Sequence, residues 1–325
     1  MDERFTSIRS VLLCAAAALW AGSAVAQDYP TRPVRVLVPF SPGGATDAVL
    51  RMVAPGMSQL LGQSVVVENR PGGAATIGMD AVAKAAPDGH TVGVANTSFA
   101  TNPLLFVKKM PYDTDKDLQP VSLIAIVPFV MSIHPSIPAR NVKELIALAR
   151  AKPGALNYSS SGNGSASQLA TELFKYLTKT EMVHVPFTGG GAALTSVLSG
   201  ECSLFFSSIP PALGHYQSGR VRPIGITSAT RDPSLPDVAA IAETVPGYES
   251  IEWQGLVVPT GTPVAAIAKL QQAVAKTMHD PALAKRFVSV GAWPKGSTTE
   301  EFAAHIQAER RKWAPVIKAA NIRFN

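Results

Sequence analysis

Three clusters rich in glycine and hydroxyl side chains dominate the polar chemistry of this chain: Ser41-Pro42-Gly43-Gly44, Ser159-Ser160-Ser161-Gly162-Asn163-Gly164-Ser165 and Gly189-Gly190-Gly191. Each follows a short apolar run and precedes a helical pattern, so each marks a strand-to-helix turn. Such a turn offers unpaired backbone N–H groups at the positive end of a helix, and glycine lets an anion approach them closely. In an open α/β sheet these turns lie at the carboxyl ends of strands, where small ligands bind. Three of them facing one cleft could hold two carboxylates at opposite ends. A tight turn is the alternative use of any single glycine, but three clusters in one chain favour binding. In the serine-rich stretch Ser161, Gly162, Gly164 and Ser165 all fall at the start of one helix.

Covalent chemistry has less support. The chain has no Gly-x-Ser-x-Gly elbow, no phosphate loop of the Gly-x-x-x-x-Gly-Lys-Ser/Thr type and no Gly-x-Gly-x-x-Gly fingerprint. A hydrolase with its nucleophile among Ser159 to Ser165 would need an oriented base, and the sequence points to none. The six histidines are scattered without ligand spacing, so neither a metal nor a cofactor is expected. His184 reads as packing beside an apolar strand. Asp47, three residues after Gly44, either contacts a cationic ligand group or bonds the backbone of its own loop. Cys202 reads as a small buried hydrophobe.

The elements that must position these clusters alternate. Val34–Val38, Val65–Val67 and Val92–Ala95 read as strands, with helices at Ala45–Leu61 and Thr76–Ala85 between them, which predicts parallel βαβ units of an α/β fold. Their nearly continuous apolar character suits strands covered by helices on both faces. Val49, Val53, Met57, Leu60 and Leu61 share one face of the first helix, while Pro55 predicts a kink or a break there. Further strands are expected at Leu156–Ser159, Met182–Pro186, Ser203–Ser207 and Val221–Thr227. Helices are expected at Asn141–Ala151, opened by an Asn141/Glu144 pair resembling a capping box, and from about Ala166, Ala192 and Pro211. Three more, at Pro263–His279, Pro281–Val290 and Thr299–Ala320, close the chain.

Arg4 and Arg9 precede an apolar run from Val11 to about Gly22, and Ala24-Val25-Ala26 follows, so residues 1–26 read as a signal peptide cleaved after Ala26. Cys14 lies inside the apolar run, away from the place a lipid anchor would require. The leader holds Asp2, Glu3, Arg4 and Arg9, so the mature chain keeps the formal net charge of +6. That balance suits an anionic ligand, and with no basic run interleaved with aromatics it does not suggest nucleic acid. Cys202 is the one thiol left after processing, which leaves no partner for an internal disulfide. About 300 residues at 46% apolar composition favour two domains with large cores.

VRVLVPFSPGGATD at 34–47, VVVENRPGG at 65–73, PDGHT at 87–91, LNYSSSGNGSASQLATELF at 156–174, HVPFTGGGAAL at 184–194 and PTGTP at 259–263 together resemble the extracytoplasmic solute receptors of tripartite tricarboxylate transporters, the Bug family. The resemblance spans essentially the whole mature chain. It implies a type II periplasmic-binding-protein fold, two α/β lobes around a central ligand cleft with two crossovers. Lobe 1 would be 27–127 plus 252–325, lobe 2 would be 128–251, and the hinges would lie near Val127 and Ile251. It also implies a monomeric periplasmic receptor that closes on a small carboxylate and docks with membrane components of a transporter. By position, Phe40, Ser41, Gly43, Gly44 and Asp47 would hold one end of the ligand. Ser161, Gly162, Gly164, Ser165, Thr188 and Gly189 would hold the other, with Thr97 and Ser98 lining the cleft. Members of the family usually carry two acids where this chain has Ser203 and Ser207. Ser207 would face the pocket and cannot pair with an ammonium group, which points to a mono- or dicarboxylate without an amino group. Phe187-Thr188 stands where Tyr-Lys is common, which weakens the case for a tricarboxylate. A periplasmic sensor feeding a signalling receptor is the alternative.

Overall fold

The computed structural model describes residues 29–42, 45–289 and 291–324. The leader with its cleavage site, Cys14, and the pair Gly43 and Gly44 lie outside the described residues.

The chain opens β1 (Val34–Val38), α1 (Ala45–Leu61), β2 (Val65–Asn69), α2 (Thr76–Ala83), β3 (Thr91–Asn96) and α3 (Thr97–Leu105). β1 lies parallel to both β2 and β3, as the alternating pattern predicts. The middle of the chain repeats the arrangement with β4 (Leu118–Ile133), α4 (Val142–Ala151), β5 (Asn157–Ser160), α5 (Ala166–Thr178), β6 (Val183–Pro186), α6 (Gly190–Leu198), β7 (Leu204–Ser208), α7 (Ile209–Gln217) and β8 (Arg222–Ile226). There β5 runs parallel to β6 and β7. β9 (Ile251–Pro259), α8 (Val264–Met278), α9 (Pro281–Ser289), β10 (Trp293–Pro294) and α10 (Thr299–Ala320) complete it. The strand order is β2-β1-β3-β9-β4-β7-β5-β6, with β8 and β10 also pairing to β4.

β4 makes two lobes out of this path. Its residues Leu118–Pro128 run antiparallel to β9, while Phe129–Ile133 run antiparallel to β7 and β8, so one 16-residue strand belongs to both sheets. The return crossing lies beside it: the Thr227 N–H donates to Phe129 O (2.9 Å) and the Ser250 N–H to Thr227 O (3.0 Å). The two crossovers therefore sit side by side.

In the first lobe Val36, Val53, Met57 and Leu270 pack on one side of the sheet, and Leu37, Val82, Trp253 and Phe302 on the other. α1 runs as one helix through Pro55, and Gly56 explains its close approach to α8, because a Cβ there would lie 2.6 Å from Thr277 Cγ2. Leu60, expected on the buried face, is 47% exposed. Tyr158, Leu173, Phe206 and Tyr248 build the second lobe. α10 serves both: Phe302 and Ile306 pack in the first lobe, whereas Trp313, Val316 and Ile317 join the second-lobe core. The end of the chain thus ties the lobes together, although the sequence reading assigns all of 252–325 to the first.

Candidate functional site

The serine-rich turn links β5 to α5, and its amides are largely used internally. The N–H groups of Ser161, Gly162 and Gly164 donate to Ser167 Oγ (3.0 Å), Ser160 Oγ (3.2 Å) and Gln168 Oε1 (2.6 Å). The Ser165 N–H donates to Gly162 O (3.2 Å). These four amides, expected as ligand donors, are instead what shapes the turn, and Gly162 (φ 129°) and Gly164 (φ 70°) supply the backbone angles it needs. What the turn presents is its hydroxyls. Ser161 Oγ and Ser165 Oγ each lie 3.1 Å from the buried Ser167 Oγ, which already accepts the Ser161 N–H and has one lone pair left, so at least one of the two hydroxyls keeps its own proton free.

The glycine-rich turn stands beside it. Gly189 precedes α6 with φ 109°, and no side chain caps the helix, whose first amides are thus uncapped donors. A Cβ on Gly189 would meet nothing within 4 Å, and one on Gly190 would lie 3.7 Å from Ser161 Oγ. Ser161 and the start of α6 therefore form one corner, with Thr188 exposed at its edge. A hydroxyl donor beside an open helix N-terminus suits a carboxylate.

In the first lobe Ser41 is exposed ahead of α1, and the half-buried Phe40 packs on the lobe core. Asp47 is 3% exposed and its carboxylate accepts from Arg51 Nε (3.0 Å) and Asn69 Nδ2 (2.9 Å). Those side-chain partners were not foreseen; they fix Asp47 as a brace between α1 and β2. Thr97 and Ser98 open α3 directly after β3. Asn96 caps that helix, accepting from the Ser98 N–H (3.0 Å) and Ser98 Oγ (2.6 Å), while its Nδ2 donates to Glu252 Oε1 (2.9 Å). The backbone donor fixes which end of the Asn96 amide is oxygen. Ser98 consequently spends its proton on Asn96 and offers only lone pairs outward.

Ser207 is 1% exposed and closes a ring of three hydroxyls with Ser132 (3.0 Å) and Tyr216 (2.9 Å). It does not present its hydroxyl openly at the strand end as expected; the ring is neutral and internally satisfied.

A base does stand beside a serine. His184 Nε2 lies 2.6 Å from Ser160 Oγ, and the ring stacks on Tyr158. Ser160 is fully buried and its oxygen also contacts both the O and the N–H of Gly162, so the pair braces the turn and leaves no accessible nucleophile. Ser167, Gln168, Asn96, Glu252 and His184 are the polar residues that sequence reasoning did not place at the site. A helix-start position was the signal available for Asn96, Ser167 and Gln168.

The model of the tripartite tricarboxylate transporter family receptor matches residues 49–322. The chain is 33% identical to BugT of Bordetella pertussis over 296 residues, 90% of each chain. Among solved structures it is similar to Rpa4515 of R. palustris with adipate (TM-score 0.80, 35% identity, 91% of this chain and 99% of that one). It is also similar to MatC of Rhodopseudomonas palustris with bound malate (TM-score 0.74, 32% identity, 89% and 100%).

Proposed function

The chain belongs to the tripartite tricarboxylate transporter receptor family, and on that premise we propose that it is a periplasmic receptor for a small mono- or dicarboxylate without an amino group. The lobes close on the ligand by hinge motion about the paired crossovers, and the closed form delivers it to membrane components of a tripartite transporter. The leader is cleaved after Ala26, the receptor acts as a monomer without a cofactor, and the lobes are 27–127 plus 252–325 and 128–251, with the far end of α10 reaching across.

The observation that carries this reading is the corner of Ser161 and the uncapped start of α6. It binds one carboxylate, with Ser165, Thr188 and Gly189 around it and Gly162 and Gly164 shaping its turn. The turn from Phe40 through Ser41, Gly43 and Gly44 to Asp47 takes the other carboxylate, while Thr97 and Ser98 line the cleft beside it, Ser98 as an acceptor only. Two relatives of known structure hold adipate and malate, both amino-free dicarboxylates. The neutral Ser132–Ser207–Tyr216 ring gives an ammonium group no counter-charge at that position. Micromolar affinity needs about 8 kcal/mol, which a few charge-assisted bonds of roughly 1.5–3 kcal/mol each supply after closure is subtracted.

A thermal-shift screen of mono-, di- and tricarboxylates and of amino acids tests the reading, with mass spectrometry of the denatured protein for ligand carried through purification. A ligand at a hundred times its Kd stabilises by about 2.7 kcal/mol. Amino acids binding tighter than every plain carboxylate would overturn the specificity, and no response to any carboxylate would overturn the function.

A further inference from the structure

The serine-rich turn is held from beneath by two side chains whose hydrogen-bond directions are fully determined. Gly164 can only donate its N–H, so the Gln168 atom 2.6 Å away is Oε1, and the amide nitrogen of Gln168 faces His184 Nδ1 at 3.1 Å. That nitrogen has only protons to offer, so Nδ1 accepts. The proton of a neutral imidazole then sits on Nε2 and is donated to Ser160 Oγ at 2.6 Å. Ser160 in turn gives its own proton to Gly162 O (3.1 Å) and accepts the Gly162 N–H. One unbroken chain of bonds thus runs from Gly164 through Gln168, His184 and Ser160 to Gly162, closing the turn at both ends.

We propose that Gln168 and His184 are positioning residues of the second-lobe site, holding the Ser161–Ser165 turn in its binding arrangement only while the imidazole is singly protonated on Nε2, so that ligand affinity falls as His184 takes up a second proton. A second proton would occupy Nδ1 and face the Gln168 NH2. Rotating the Gln168 amide to relieve that contact would turn its NH2 onto the Gly164 N–H. Either way the chain of bonds is broken, between Gln168 and His184 if the amide stays and at Gly164 if it turns.

The surroundings favour the neutral ring. Burial pushes His184 below the usual imidazole range, Glu172 opposes this, and Lys175 reinforces it. All three neighbours lie on β5 or α5: Tyr158 stacks on the ring and donates to Glu172, and Glu172 is paired with Lys175 at 2.8 Å. The negative charge of Glu172 is thereby largely spent on those two groups.

This inference rests on the carboxylate-receptor reading, and the test separates the two. Adipate, malate and succinate are titrated calorimetrically into the purified protein, Gln168→Glu and His184→Gln from about pH 8 to about pH 5. Gln168→Glu keeps the acceptor for Gly164 but places a carboxylate oxygen against Nδ1, so protonation there gains a bond instead of losing one. The unaltered protein is expected to weaken about threefold or more over this range relative to Gln168→Glu, because the competent fraction shrinks with protonation. His184→Gln, which does not titrate, gives the same slope as Gln168→Glu or a flatter one. Nitrogen NMR of the imidazole in ligand-free protein should show the Nε2–H tautomer, changing to a ring protonated on Nδ1 in Gln168→Glu. Parallel pH profiles in all three proteins, or an Nδ1–H tautomer in the unaltered one, overturn the inference while leaving the receptor reading intact. Absence of carboxylate binding at every pH overturns both.

Discussion

A Cβ added to Gly164 would overlap the ring of Phe324, so the last residues of the chain close against the turn that carries the second-lobe site. Phe324 also pairs with the end of α3, donating its N–H to Leu105 O (2.8 Å) and stacking edge-on against Phe106. Gly164 is therefore required for two reasons, its φ of 70° and this contact. Gly164→Ala is expected to lower stability by about 2–4 kcal/mol, combining left-handed strain and overpacking. Adding Phe324→Ala should return the overpacking share, and calorimetric melting of the single and double variants measures that coupling.

Gly190 allows the site to be tested without that structural cost. It has no positive φ, and a Cβ there reaches no closer than 3.7 Å to any neighbour, that neighbour being Ser161 Oγ. Gly190→Ala should change stability by no more than about 0.5 kcal/mol yet weaken carboxylate binding about tenfold, since the methyl group occupies space over the helix amides. Unchanged affinity at unchanged melting temperature would remove this corner from the site.

The parallel units were legible because their signals are local. β1, α1 and the α4 start carry apolar spacing and capping residues within one element; Asn141 accepts the Glu144 N–H (2.9 Å) as its type suggests. β4 and β9 carry no such signal. Pro120 and Pro128 interrupt the β4 run, Glu252 and Gln254 interrupt the start of β9, and what makes them strands is pairing across more than a hundred positions. The glycine and serine clusters were legible as turns, but the destination of each amide was not. Whether Gly164 N–H meets a ligand or Gln168 depends on tertiary placement, and so does the partner of Ser207. Residue type limits those choices without selecting among them.

The fixed direction of Asn96 makes a prediction about the ligand. With its proton spent on Asn96 Oδ1, Ser98 can only accept from a group above it, so a ligand bearing a hydroxyl gains a bond there that a plain dicarboxylate lacks. Malate is expected to bind more tightly than succinate by about 1 kcal/mol, a single net hydrogen bond. Ser98→Ala should erase that difference and leave succinate affinity unchanged, as side-by-side calorimetry would read directly.

Glu252 sits where the two long strands meet, paired across from Val127 and accepting from Asn96 Nδ2 at 2.9 Å. Burial pushes its carboxyl up to about 7, the Asn96 bond opposes this, and Glu309 adds to it. Because the folded value lies above the unfolded value of 4.5, the folded state binds more protons between the two. The contribution of Glu252 to stability is therefore fully present below about pH 4.5 and is lost as pH rises through about 7. Glu252→Gln keeps an oxygen for Asn96 and removes the titration. The variant should match the unaltered protein near pH 4.5 and exceed it near pH 8 by about 2 kcal/mol, allowing for the partial exposure of the group. Denaturant unfolding at the two pH values gives that difference, and a constant offset would mean that the carboxyl titrates alike in the folded and unfolded chains.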